Sequence, residues 1–247
     1  AGDGAAVRRQ LEELDQPGEY YLDRQNNRLF FWAPGDVAKT PVQLTLCRQP
    51  LIRAQGAAHL VLRDLTIENG REAGIVMSNC RHCRVENCLV RNTGRNGISL
   101  SGSHMVVSGC EVTQTASFGV SSSGGDRKTL TRGECSIEDC RIHHVGRLDW
   151  EGGRCAIVNG CGNRLANNLF HHGPTGAVAY GGNEHLLELN ESHHMCIHYA
   201  DVGVFYTGRD WASRGNVVRW NYFHDVATKG GSGAQAVYLD DCDSGDT

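Results

Sequence analysis

From residue 62 to residue 241 the apolar positions fall in short runs that alternate with polar ones, and no helical period of useful length interrupts them. The runs form two series. One comprises "LRDLTI", "VENCLV", "VSGCEV", "IEDCRI", "LANNLF", "LELNES" and "VRWNYF". Their fourth residues, Leu65, Cys88, Cys110, Cys140, Asn168, Asn190 and Asn221, recur at intervals of 22 to 31 residues. Beside it run "GIVMS", "GISLS", "GVSSS", "AIVNG", "AVAYG", "GVFYT" and "AVYLD", with Ile75, Ile98, Val120, Ile157, Val178, Val204 and Val237 in second place. Two short strands per repeat, joined by turns and loops of variable length, describe one coil of a parallel β-helix. The lack of helices excludes βαβ units, and the regular spacing of a leucine-rich repeat is missing.

Stacked coils put equivalent residues one strand spacing apart, about 4.8 Å. Asn168, Asn190 and Asn221 are therefore expected to form an amide ladder. Cys88, Cys110 and Cys140 should stack in the same column, either bridged between neighbours or packed as small free thiols. The crossover rule makes the solenoid right-handed. The fold class predicted is all-β: a right-handed parallel β-helix over residues 59–247, preceded by an N-terminal hairpin and cap region over residues 1–58. In that region "EYYLD" and "RLFFW" read as two strands joined at Gln25-Asn26-Asn27, "VQLTL" leads toward the first coil, and "AVRRQLEELD" reads as a short helix. This segment is expected to cover the open edge of the first coil.

Composition adds little to that picture. With 24 Lys and Arg against 28 Asp and Glu, the formal charge is −4 and no basic block suggests nucleic acid. No apolar run has the length of a membrane span. Thirty-one glycines against five prolines imply many tight turns and little linker. The start "AGDGAAVRRQ" and the end "YLDDCDSGDT" read as those of a fragment of a longer protein. Of the eleven cysteines, only Cys80 and Cys83 are closely spaced, and without a second such pair zinc is not expected. No other metal or cofactor is expected either.

Two polar patterns carry candidate chemistry. Histidines recur as His143-His144, His171-His172, His193-His194 and then His224-Asp225. Stacked imidazoles can chelate a metal, but recurrence over three coils favours a polar ladder at a turn. His198 stands outside that register and is free to reach a site. Aspartates gather near the end of the chain, among them Asp201, Asp210, Asp240, Asp241 and Asp243, whereas earlier coils end the same strand in Ser78, Ser101, Ser123 and Gly160. Aligning Val204 with Val237 sets Thr207 beside Asp240, Gly208 beside Asp241 and Asp210 beside Asp243. Alternation then points Tyr238 and Asp240 outward, with Phe205 and Thr207 on the same face. An outward row of aromatic and acidic groups suits a sugar chain in a groove, with two carboxyl groups for acid–base work. Tyr206, Arg209, Trp211, Tyr238 and His198 are the candidate substrate contacts.

The residues "YTGRDW…RGNVVRWNYFHD" followed by "AVYLDDCDSG" resemble a block in bacterial right-handed parallel β-helix proteins that include glycoside hydrolase family 141. "PGEYYLDRQNNRLFFWAP" is similar to the hairpin that precedes the helix in those proteins. The resemblance implies a fucosidase- or xylanase-like enzyme that uses paired aspartates with net retention, and a secreted or periplasmic location. The pair expected is Asp210 with Asp240, with Asp241 and Asp201 in reserve. Asp201 precedes its strand and, on a straight strand, lies some 15–20 Å from Asp240 at about 3.3 Å per residue. It reaches the site only if the chain folds back. Two other readings stay open. A polysaccharide lyase would use Lys229 or Arg209 as base on an acidic glycan, with Ca²⁺ among the aspartates. A non-catalytic solenoid would bind glycan through the same aromatics. "DDC" at 240–242 is also shared with polygalacturonase-type β-helices. All three imply a polysaccharide or oligosaccharide as partner, neither nucleic acid nor membrane, and a monomer.

Overall fold

The computed structural model describes residues 11–39, 42–226, 233–243 and 245–246, in two compact units that divide between Leu44 and Thr45. The first unit holds an antiparallel hairpin, Tyr20–Asp23 with Arg28–Phe31. Its turn is closed by Asp23 Oδ1, which accepts the Gln25 and Asn26 N–H groups, and by Asn27 at a φ of 51°. The two strands thus lie where the polar turn predicts them. Leu11–Glu13 form a single 3-10 turn in place of the helix, whose first residues lie outside the described ones, and the apolar run 42–46 forms no strand.

The second unit is a stack of coils in three parallel sheets. Sheet I holds Ile52–Gln55, Ile75–Arg81, Ile98–Ser103, Val120–Asp126, Ala156–Cys161, Val178–Asn183, Val202–Gly208 and Ala234–Asp240. Sheet II runs from Val61–Arg63 to Val217–Arg219, and sheet III from Thr66–Gly70 to Tyr222–His224. Each coil therefore has three strands, one more than the alternation predicts. The run "VENCLV" contains two of them, Arg84–Glu86 and the start of Leu89–Thr93, separated by a sharp corner at Asn87-Cys88. The corner is cheap in sequence. Asp64, Asn87, Gly109, Asp139, Asn167, Leu189 and Trp220 occupy it with φ between 51° and 62°, the left-handed region that Asn, Asp and Gly enter most readily.

The residue after each of these corners points inward and builds the expected column. Asn190 accepts from the Asn168 backbone N–H at 3.0 Å and side-chain N–H at 2.9 Å, and its own amide donates to Asn221 Oδ1 at 2.9 Å and to the Leu165 carbonyl at 3.1 Å. Cys88, Cys110 and Cys140 continue the column as free, buried thiols. Above them sits the core. On sheet III, Ile67, Val90, Val112, Ile142, Phe170, Ser192 and Phe223 stack in register, and on sheet II Leu62, Val85, Val107, Ile137, Leu165, Leu187 and Val218 do the same.

On sheet I the pairing corrects the expected register at two places. Val120 pairs with Ala156, so Ile157 turns outward, and Val178 pairs with Phe205, which pairs with Val237. Phe205 and Thr207 are thus inward and Tyr206 outward, because a one-residue slip in a strand moves every side chain to the other face. The slip has a packing cause. Sheet III places the small Ser192 between Phe170 and Phe223, and the Phe205 ring fills that level, 6.4 and 5.0 Å from the two neighbouring ring centroids.

Two outcomes check this arrangement. Because the stacked thiols are unpaired and only Cys47 and Cys242 are exposed, a thiol reagent applied to the native protein should label those two rapidly and the other nine only after unfolding; protected pairs that survive denaturation would contradict it. Replacing Asn190 by Leu leaves the Asn168 and Asn221 groups unsatisfied and should cost roughly 2–4 kcal/mol in urea unfolding; a neutral change would remove the ladder as a stabilising element.

Candidate active-site cleft

The third corner of each coil, from sheet III back to sheet I, varies most in length. In the early coils it is short, spanning residues 94–97 and 116–119; later it spans 144–155, 172–177 and 194–201. The lengthened turns lie against one another: Cys196, Ile197 and His198 donate backbone N–H groups to Thr175, Gly173 and Pro174 carbonyls. Trp150 and His198 stack at 4.3 Å with planes 10° apart, tying the first long turn to the third. Between these turns and the outer face of sheet I opens a cleft of about 230 Å³, lined by Glu151, Arg154, Thr175, Tyr199, Ala200, Asp201, Val202, Tyr206, Arg209 and Asp240.

Its acidic groups are held by phenols. Tyr206 donates to Asp240 Oδ2 at 2.8 Å, and Tyr238, its register partner one coil on, donates to Asp201 Oδ1 at 3.1 Å. The two rings meet edge to face, with centroids 5.8 Å apart. Burial first, and then the bond to Asp240, raises the Tyr206 pKa; the bond to Asp201 leads in pushing Tyr238 up to about 12. Both phenols therefore stay protonated and act as donors at any physiological pH. Asp240 is 17% exposed and Asp241 70%, with Arg209 Nε 3.9 Å from a carboxylate oxygen of each.

Asp201 comes into reach because its strand is not straight. Asp201 itself has a φ of 57°, and the pairing runs Val202 to Ala234 and Gly203 to Gln235, passes over Val204, and resumes at Phe205. Val202 to Phe205 are all buried, so the inward–outward alternation is lost there, although the register to the next coil keeps the same offset from Val202 to Gly208. Gly203 makes the fold-back possible: a Cβ at that position would lie 2.5 Å from Tyr238 Cβ and 2.7 Å from the Phe205 carbonyl oxygen.

Asp210 lies elsewhere. Arg127 Nη2 donates to it at 2.6 Å while Arg127 Nε holds Asn183, and Asp210 also accepts the Ala212 N–H. The structure does not bring Asp210 into the cleft with Asp240, because the corrected register sets Gly208, not Asp210, near the end of the paired segment. Trp211 is 80% exposed and lines no part of the cleft. His198 acts through its stack on Trp150 and does not line the cleft either. Of the residues singled out in the sequence, the cleft thus gathers Asp201, Asp240, Tyr206 and Arg209, with Tyr238 behind Asp201. Glu151, Arg154, Thr175 and Tyr199 escape sequence reasoning; for Glu151, Arg154 and Tyr199 the one signal is a repeat interval longer than 22–23 residues, and Thr175 has none. Lys229 lies outside the described residues.

The histidines form two columns. His143, His171, His193 and His224 stack at 4.4, 5.1 and 5.0 Å, and His144, His172 and His194 at 4.8 and 4.9 Å. Ring nitrogens of His143, His144 and His171 lie within 4.8 Å of one another, close enough to share a metal. The nitrogens of His143 and His171 are already bonded, His143 to Glu111 and His144, His171 to Arg141 and His172. Burial, helped by its charged neighbours, pushes His171 down to about 3, so its ring is neutral.

The sequence profile of the right-handed β-helix region matches residues 43–134. A solved structure titled "Glycoside hydrolase" superposes with a TM-score of 0.55 at 17% identity, covering 69% of this chain and 38% of that one. The chain thus spans well under half the length of that protein. The pectate lyase Pel9A is similar at 14% identity and a TM-score of 0.40, over 74% of this chain and 52% of its own. No curated protein matches the sequence. Together with the sheets, the matching profile makes the fold a right-handed β-helix, and the likeness to the glycoside hydrolase structure is one of fold alone.

The Arg127–Asp210 pair, about one-third exposed on both sides, should contribute no more than about 1 kcal/mol of coupling in a double-mutant cycle with Arg127→Ala and Asp210→Ala. A coupling of several kcal/mol would mark a buried network that the structure does not contain.

Proposed function

We propose that this chain carries the active site of a glycoside hydrolase, with Asp201 and Asp240 as its two carboxyl groups. One observation supports this above the others: two carboxylates far apart along the chain are each fixed by a tyrosine hydroxyl, and both line one cleft between the turns and sheet I. In such a reaction one carboxyl group protonates the leaving glycosidic oxygen, while the other attacks the anomeric carbon or activates a water. The exposed ring of Tyr199 offers an apolar face to a sugar. At about 230 Å³ the cleft is smaller than typical ligand pockets and suits one sugar unit of a longer chain. A fucosidase- or xylanase-like specificity, net retention and an extracellular site of action belong to this proposal and rest on the sequence resemblance.

The test uses xylan, fucosylated oligosaccharides and pectins, with and without EDTA. New reducing ends that lack the ultraviolet absorbance of unsaturated uronates are expected, and EDTA should change nothing. Absorbance of that kind would turn the reading toward a lyase, and no product from any glycan would turn it toward a binding module. Asp240→Asn and Asp201→Asn should each lower kcat by roughly 10²–10⁴ with little change in Tm. Full activity in either variant removes that residue from the pair.

A further inference from the structure

Among the described residues, Arg154 is the cleft cation that no carboxylate answers. Its Nη1 is enclosed and has no hydrogen-bond partner, the side chain as a whole is half-buried and lines the cleft, and among the described residues no carboxylate lies within ion-pair distance of it. The charges that act on it are those of Cys196 and Tyr206. Both groups are neutral, since burial pushes the Cys196 thiol up to about 11 and also raises the Tyr206 phenol. Burial lowers the Arg154 pKa, yet a guanidinium keeps its proton in a protein. Arginines elsewhere in the solenoid are treated differently: Arg164 and Arg219 share Glu188 at 3.0 and 2.7 Å, and Arg91 meets Glu68 at 2.6 Å.

Leaving a buried charge unpaired costs several kcal/mol, so a position that keeps one is set up for a partner that arrives from outside. The surroundings agree. The guanidinium carbon sits 5.2 Å from the centre of the Tyr206 ring, whose hydroxyl holds Asp240. Room for it depends on Gly176, where a Cβ would lie 2.6 Å from Arg154 Nη1 and 1.9 Å from the Gly203 carbonyl oxygen. The three cleft carboxylates, Glu151, Asp201 and Asp240, repel an anion from the rest of the cleft. A negative group on the ligand therefore has one favourable corner, and that corner orients the ligand.

We infer that Arg154 is a specificity-determining residue that binds an anionic substituent of the sugar, a carboxylate or a sulfate ester, so that the glycan taken by this cleft is acidic. The inference rests on the glycan-binding reading of the cleft. It names a substrate class and involves no bond-making step. The planar fork of arginine matches the two oxygens of a carboxylate or sulfate.

Binding to the whole chain is measured by calorimetry at neutral pH with galacturonic acid and its methyl ester, glucuronic acid and its methyl ester, and glucose 6-sulfate. Either free uronate, or the sulfated sugar, should bind at least tenfold more tightly than the esters. Preference for the sulfated sugar over the uronates keeps the inference and identifies the source as a sulfate ester. Arg154→Gln should bring acid and ester within threefold of each other, and Arg154→Lys should retain part of the preference. Without ligand, Arg154→Gln should melt at or above the wild-type temperature, because it relieves an unpaired charge. The inference is overturned if neither a free uronate nor the sulfated sugar binds the wild type more tightly than the esters, or by an undiminished preference in Arg154→Gln. It is equally overturned if Arg154→Gln melts several degrees lower, which would make the arginine structural. Turnover separates this from the hydrolase reading. A protein that prefers uronates but cleaves no glycan refutes hydrolysis and keeps Arg154, while cleavage of neutral glycans with no uronate preference does the reverse.

Discussion

The backbone pairing between successive coils is the constraint on which the rest of the structure depends. Each coil must match the one below it residue for residue along three strands, so an inward side chain in one coil fixes the position of its counterparts in all the others. The left-handed corners and the Cys–Asn column hold that match from inside, where an unpaired amide is costly. Regions outside the paired strands escape the constraint. Extra residues accumulate there, in the excursion at 127–130 and in the third-corner turns from residue 144 onward.

The cleft is a product of both regimes. Asp240 is placed by the ladder: it ends a paired strand on the outward face, two residues beyond the register partner of Tyr206. Asp201 is placed where the strand keeps its register but loses its inward–outward alternation, with Gly203 letting the backbone come close to Tyr238. The tyrosines connect the two regimes, each reaching along the face to fix a carboxylate. The Trp150–His198 stack and the backbone bonds from residues 196–198 to residues 173–175 hold the turns that complete the wall. A rigid stack that carries adjustable turns supports many chemistries, and so the cleft residues, rather than the fold, carry the functional reading.

What the sequence disclosed follows the same division. The asparagine column, the histidine pairs and the hairpin are legible because repetition or local turn chemistry marks them. The third strand per coil is hidden because a corner such as Asn87-Cys88 fits within an apolar–polar alternation. The register of Val202–Gly208 is hidden for a subtler reason: Val204 and Phe205 are both apolar and both buried, and the gap at Ser192, in another sheet, is the level that the Phe205 ring fills. Glu151 and Arg154 sit in an inserted turn with no counterpart in other coils, where periodicity carries no information.

The most direct measurement of the central claim is a crystal structure of the protein with a bound oligosaccharide. A sugar ring in the cleft, with one of its glycosidic oxygens or anomeric carbons between the Asp201 and Asp240 carboxyl groups, is the result expected. A ring bound on another face of the solenoid, or the two carboxyl groups turned to opposite sides with no sugar between them, would contradict it.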